Sequence, residues 1–158
     1  MRRTGRKRES GDVPLRHDEF TLSKMFRYAG YRVDGIGKWG LGSAGTSGSP
    51  KIHGFNQWVG FLNQEESFNY FPARVWRWDS RSQWNNYVAN HNQKYVQDLF
   101  NHAAEQSVRI NSDYQFFLYL PFTIPHANPA HNRPDIPKQC QPDGISNDNY
   151  GNDTVLIG

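Results

Sequence analysis

The sequence predicts an α/β fold, and two pairings of helix with strand carry that reading. A helical repeat at Val96, Leu99, Phe100 and Ala103 is followed by the continuous apolar run 116–120, Phe-Phe-Leu-Tyr-Leu, which Pro121 stops. A shorter repeat at Leu22, Met25, Phe26 and Ala29 leads into a strand-like segment at 31–36. Apolar residues at i, i+3, i+4 and i+7 mark one face of a helix, and an unbroken apolar run marks a strand buried on both faces. Helices that alternate with such strands are layered against a sheet.

Taken in order, residues 1–14 read as a disordered basic lead-in, with Arg2, Arg3, Arg6, Lys7 and Arg8 in its first eight positions. Thr21 is placed to cap the first helix and Gly30 to end it, with the apolar stripe as its buried face. The strand at 31–36 puts Tyr31 and Val33 on one face and runs into the glycine-rich segment 37–48. A strand that ends in a flexible loop is a common place for chemistry. Residues 49–92 carry aromatics without clear periodicity and read as irregular structure with short turns. In the second helix Val108 and Ile110 extend the apolar pattern. After Pro125 the chain becomes a polar, proline-rich loop, and residues 154–157, Thr-Val-Leu-Ile, read as the start of another buried strand.

Composition narrows the function classes. The 158 residues allow one modest domain, and 8 Leu, 7 Ile and 8 Val make its aliphatic share thin. The 5 Trp, 8 Tyr and 10 Phe partly offset this, since each large ring can bury roughly 150 to 250 Å². A single cysteine excludes a disulfide framework and the structural zinc sites that need several thiolates. No apolar run approaches the roughly 18 residues of a membrane span, and the N-terminus lacks the apolar segment of a secretory signal. As written, the chain is expected in the cytoplasm. Its net charge of +3 comes from the tail, because without those five cations 13 basic residues face 15 acidic ones. That distribution argues only weakly for nucleic acid or an anionic membrane.

Several motifs have two readings. Gly40-Leu41-Gly42-Ser43-Ala44-Gly45 is formally G-x-G-x-x-G after a strand, but Thr46-Ser47-Gly48-Ser49-Pro50 breaks the helix that a dinucleotide site requires. Cys140 has no identifiable base beside it. His126 and His131, five apart, have no carboxylate or thiol in register and make a weak metal pair. Arg74-Val75-Trp76-Arg77-Trp78, with Arg81 and Trp84, interleaves cations with rings. Such a strip serves either to stack on sugars and bases or as cation–π packing.

The run Ala29-Gly30-Tyr31-Arg32-Val33-Asp34-Gly35-Ile36-Gly37-Lys38-Trp39-Gly40-Leu41-Gly42 resembles the second signature of the sulfatase family, a Gly-Tyr strand leading into Gly-Lys-Trp. Three further stretches follow in the family's order: 54–64 from Gly54, Asn69-Tyr70-Phe71-Pro72, and 117–128 with Pro125-His126. The resemblance spans about 14–128, with a faint return at 153–157, and is to arylsulfatase-like enzymes. It implies an alkaline-phosphatase-like α/β fold, a mixed sheet with flanking helices, and makes residues 15–158 part of a sulfatase catalytic domain.

The resemblance also implies chemistry. The family hydrolyses sulfate esters with a formylglycine made from the cysteine of Cys-x-Pro-x-Arg, assisted by calcium and cationic side chains. Positive charge is needed where negative charge develops on the departing sulfate. By similarity, Lys38 bridges nucleophile and sulfate, and His126 donates to the sulfate group. The ordinary readings are a solvated lysine at a strand end and a histidine bonded within its loop. Departures accompany the match. Gly40 stands where many members have histidine, and Phe68 precedes the Asn-Tyr-x-Pro segment in place of histidine. No Cys-x-Pro-x-Arg precedes the signature, the Cys140 run ends in Gly144 where arginine is required, and no paired-Asp calcium site is present.

The sequence therefore reads as the middle portion of a sulfuric ester hydrolase of arylsulfatase type, inactive alone. Calcium belongs to the full-length family and is not expected to be held by this chain, so no metal ligand is assigned. The expected partners are a sulfate ester and a complementing fragment from an adjacent reading frame, with neither a membrane nor nucleic acid. Family members are often periplasmic or secreted. The alternative is a non-catalytic carbohydrate-binding or remnant protein.

Overall fold

In a computed structural model, the structure describes residues 13–80, 84–89 and 94–124. Among the described residues two helices, α1 (Leu22–Tyr28) and α2 (Val96–Asn111), accompany five strands: β1 (Arg32–Lys38), β2 (Gln57–Phe61), β3 (Arg74–Asp79), β4 (Trp84–Ala89) and β5 (Phe116–Tyr119). Short 3-10 turns occupy Pro50–His53 and Glu66–Phe68. The strands form one sheet in the order β4-β3-β2-β1-β5. β1 runs parallel to both β2 and β5, and β3 is antiparallel to β2 and β4. This mixed sheet with flanking helices is the α/β architecture that the sequence predicts.

Each face of the sheet has its own core. Ile36, Val59, Phe61 and Val75 pack against Val96, Phe100 and Ala103 of α2. On the opposite face Val33, Phe55, Trp58, Leu62, Trp76 and Trp78 cluster, with Phe26 of α1, Tyr31, Trp39 and Phe117 against them. β1 lies between the two, which is why its residues 33–37 are all buried. Two glycines let it lie so close to β2. Gly37 (φ 129°) and Gly60 (φ 146°) are register partners, and a Cβ on Gly60 would fall on the carbonyl group of Gly37.

The α2 stripe differs from the expected one in an instructive way. Val96, Phe100 and Ala103 are buried as predicted, but Val108 and Ile110 are exposed, and Ser107 and Asn111 continue the buried face. Those two polar residues are buried because each donates to the carboxylate of Asp34 on β1, at 2.7 Å and 2.8 Å. Burial of polar groups follows hydrogen bonding here, and an apolar repeat cannot reveal it.

Helix α1 forms where expected, with Thr21 as its cap accepting from the Lys24 amide at 3.2 Å. Its apolar stripe faces the core only in part, since Phe26 packs against the second cluster while Leu22 is 55% exposed and Met25 43%, and Ser23 is its fully buried residue. Residues 49–92 are not irregular throughout, because β2, β3 and β4 lie within them. β5 forms on the predicted run but is half-buried to exposed, as it pairs with β1 alone among the described residues. The basic stretch at 2–8, His126, His131, Cys140 and the strand expected at 154–157 lie outside the described residues.

Candidate functional site

The carboxyl ends of parallel strands are where open α/β sheets hold their ligands. Three elements meet at that edge around Lys38. Its residue ends β1 opposite Phe61, the last residue of β2. Its backbone N–H donates to the carbonyl of Pro121, in the segment leaving β5, at 2.8 Å. Beyond it the Trp39 and Gly40 amides continue the ladder to the carbonyls of Phe61 and Leu62, at 2.9 Å and 3.1 Å. Lys38 shares the α2 face of β1 with Asp34 and Ile36, by the period-2 alternation of a strand, and is half-buried.

The segment after β5 is held from the other side by Tyr70. This fully buried residue of the Asn-Tyr-Phe-Pro stretch donates its hydroxyl to the carbonyl of Thr123 at 3.4 Å, and its own carbonyl accepts from the Val96 amide at the start of α2, at 2.8 Å. Tyr70 and Phe71 also meet the ring of Tyr95, at 6.1 Å and 5.5 Å between centroids. The Asn-Tyr-Phe-Pro stretch thus forms a clasp between α2 and the strand end beside Lys38. Its sequence signal is the large aromatic flanked by Asn69 and Pro72 in an otherwise aperiodic region.

Two buried polar atoms near this clasp, the Thr123 hydroxyl and the Gln97 side-chain oxygen, have no hydrogen-bond partner among the described residues. An open cavity of about 430 Å³ lies at the same edge, lined by Glu66, Asn69, Pro72, Ala73 and Arg74. Arg74 belongs to this edge because β3 runs antiparallel to β2, which puts the first residue of β3 past the last of β2.

Of the two predicted sulfate-contacting residues, Lys38 is therefore at the carboxyl edge, and His126 lies outside the described residues, five positions beyond Pro121. In the aromatic strip, Trp76 and Trp78 are core residues at 8% and 6% exposure, whereas Arg74 and Arg77 are exposed. The glycine segment 40–45 forms turns and no helix follows it before the 3-10 turn at Pro50, so it lacks the helix N-terminus of a dinucleotide site. Among the described residues no group of three or more His, Cys, Asp or Glu could hold a metal ion. The buried carboxylate nearest in sequence to Lys38, that of Asp34, is turned to Ser107 and Asn111. These residues do not fit a calcium cage. No helix of the described residues is long and apolar enough to cross a membrane.

A mixed sheet flanked by helices, with Lys38 at the carboxyl end of the parallel strand β1, makes this an α/β protein. The sulfatase family model matches residues 3–153, and the chain belongs to the sulfatase family, a match that fits it to the alkaline-phosphatase-like fold. A solved structure, "Crystal structure of Ps i-CgsB", is similar to it with a TM-score of 0.55 at 20% identity. The alignment covers 79% of this chain and 30% of that one, so this chain spans less than a third of that protein's length. At such identity the likeness concerns the fold. A comparison with curated proteins gives no match.

Proposed function

We propose that the chain is the lysine-bearing part of a sulfuric ester hydrolase of arylsulfatase type, in which Lys38 and His126 contact the sulfate group. The observation that supports this reading is the position of Lys38, at the carboxyl end of β1 and hydrogen-bonded through its backbone to the segment that leads to His126. An ammonium there offsets the negative charge of a sulfate ester and of the leaving oxygen, and an imidazole on the neighbouring segment can donate to a sulfate oxygen. Neither group is a nucleophile toward sulfur in this scheme. The sequence holds no Cys-x-Pro-x-Arg, and Cys140 is followed by Gln141-Pro142-Asp143-Gly144. Turnover accordingly requires a nucleophile and calcium ligands from another segment, on the same or a complementing polypeptide.

Two measurements test this. The 158-residue chain, incubated with an aryl sulfate and calcium, is expected to give no turnover above buffer, and robust hydrolysis would overturn the claim that it needs a complement. Titration with an aryl sulfate followed by NMR is expected to shift the backbone amides near Lys38. The Lys38→Ala variant should weaken that binding about tenfold or more, the worth of one charge-assisted hydrogen bond. Unchanged affinity in Lys38→Ala would remove the lysine from the reading.

A further inference from the structure

His53 closes the 3-10 turn Pro50–His53 with its side chain 0% exposed. Its Nε2 lies 2.9 Å from the carbonyl oxygen of Ser47. A carbonyl only accepts, so Nε2 carries the hydrogen, and in the neutral ring Nδ1 bears a lone pair. That Nδ1 is buried and has no hydrogen-bond partner among the described residues. The backbone of the same residue is also engaged. The carbonyl of His53 accepts from the Ser23 hydroxyl at 2.5 Å and the Thr21 hydroxyl at 3.3 Å, both at the start of α1. One residue thus joins the first turn of α1 to the loop that follows Lys38 and Trp39, and its ring stands against Trp39 at 6.3 Å between centroids.

Residues 43–49, Ser-Ala-Gly-Thr-Ser-Gly-Ser, offer no large apolar side chain to anchor that loop. Polar contacts hold it: the His53 ring on Ser47, the Trp39 indole N–H donating to the Gly48 carbonyl at 2.6 Å, and the Ser47 hydroxyl donating to the Leu15 carbonyl at 2.9 Å. Protonating His53 in place would create a buried cation whose new N–H meets no acceptor, and such a group gains by reaching water. The ring cannot leave without giving up Ser47.

We propose that His53 is an acid-sensitive latch: protonation of its ring releases the 43–49 loop, and the neutral ring holds it closed beside Trp39. This device is independent of the sulfate reading and stands on the burial and one-sided bonding of the ring. The charged groups that face it come from the segment before α1 and from α1 itself. Burial, the largest influence, pushes the ring below the ordinary histidine value, and the Ser47 carbonyl works in the other direction. Lys24 and a protonated His17 further disfavour the cation, and Glu19 favours it. The Lys24 ammonium is fixed there by the carbonyls of His17 and Glu19, at 2.8 Å and 2.9 Å. For a lowered histidine the stabilisation is complete above the unfolded value of about 6.5 and is lost as pH falls through the folded value.

Amide hydrogen exchange in the 158-residue chain tests the latch, read at Thr46, Gly48 and Ser49, whose N–H groups are bonded inside the loop. After correction for intrinsic rates, their protection should fall by up to about tenfold per pH unit below about pH 6.5, while the Lys38 amide in the sheet keeps its own. In His53→Gln the side-chain amide can still donate to Ser47 but does not titrate, so loop protection should become flat with pH; His17→Gln should leave the fall in place. Loop protection unchanged between pH 7.5 and 5 in the parent chain, or the same fall in His53→Gln, would overturn the proposal. An NMR titration of the His53 ring in the parent chain gives a check that needs no variant: its midpoint should lie below about 6.5, at the pH where the fall in loop protection ends, and a midpoint at or above about 6.5 sinks the idea.

Discussion

The Ser107 hydroxyl on α2 donates to the Asp34 carboxylate on β1 across 2.7 Å, in a contact where both residues are buried. Asn111, one turn further on, donates to the same oxygen and receives the Arg32 guanidinium at 3.3 Å, while that guanidinium lies over the Tyr114 ring. The helix is therefore registered on β1 by a polar triad, and the apolar contacts around it set distance more than position along the axis.

Replacing Ser107 with alanine should cost about 2 kcal/mol, because a hydrogen bond to a charged group is lost inside the fold and Asp34 keeps one donor fewer. Urea unfolding followed by tryptophan fluorescence reads this as a lower midpoint with an unchanged slope. A cost below about 0.5 kcal/mol would mean that the carboxylate is solvated and the triad is not what registers α2.

Gly60→Ala should prevent the β1–β2 ladder from closing at Gly37, since the added methyl meets a backbone carbonyl and no flexible side chain. Gly30→Ala is the matched control: it also has positive φ, at 87°, but nothing lies within 4 Å of its Cβ. It should cost only about 1 to 2 kcal/mol of backbone strain. Circular dichroism and thermal melts of the two variants separate the cases, and equal behaviour would show that φ alone, not the close strand approach, governs position 60.

The pair of Arg16 and Asp18 supplies a test at the surface. The hydrogen bond from Arg16 holds the Asp18 carboxyl below the usual carboxylate range. A lowered carboxylate contributes stability above its unfolded value of about 3.9, and the contribution is lost as pH falls through the folded value. Arg16→Ala should move the Asp18 midpoint upward in a carboxyl NMR titration while barely altering stability near neutral pH, because exposed pairs are screened. A midpoint that stays where it was would assign the shift to the backbone.

Much of this fold is legible from residues whose role is local. Thr21 and Gly30 mark the ends of α1, Val96, Phe100 and Ala103 mark the buried face of α2, and the 116–120 run contains β5. What escapes is decided by partners distant in sequence. β2 has only five residues, and both of its faces are covered, Trp58 on one and Val59 and Phe61 on the other, so it has no amphipathic period to detect. In β3 the alternation of Trp76, Arg77 and Trp78 is a strand signal, yet as an isolated motif it reads equally well as a stacking strip. The exposure of Leu22 and Met25 is likewise invisible to a helical repeat, which reports apolar spacing and not what covers it. At the candidate site, the Lys38 position at a strand end follows from the sequence, whereas the Tyr70 clasp depends on a contact 53 residues away.

The tight approach of Gly37 and Gly60 also bears on how such a chain can diversify. Directly before Lys38 the neighbouring strands meet backbone to backbone, with no side chain whose replacement could tilt or lengthen the support of the lysine. Change near Lys38 would have to enter through the 62–73 connection and the segment from Pro121, which lie beyond the paired backbones of the two strands. The two strands act as a fixed bench, and the loops are the parts that selection can exchange.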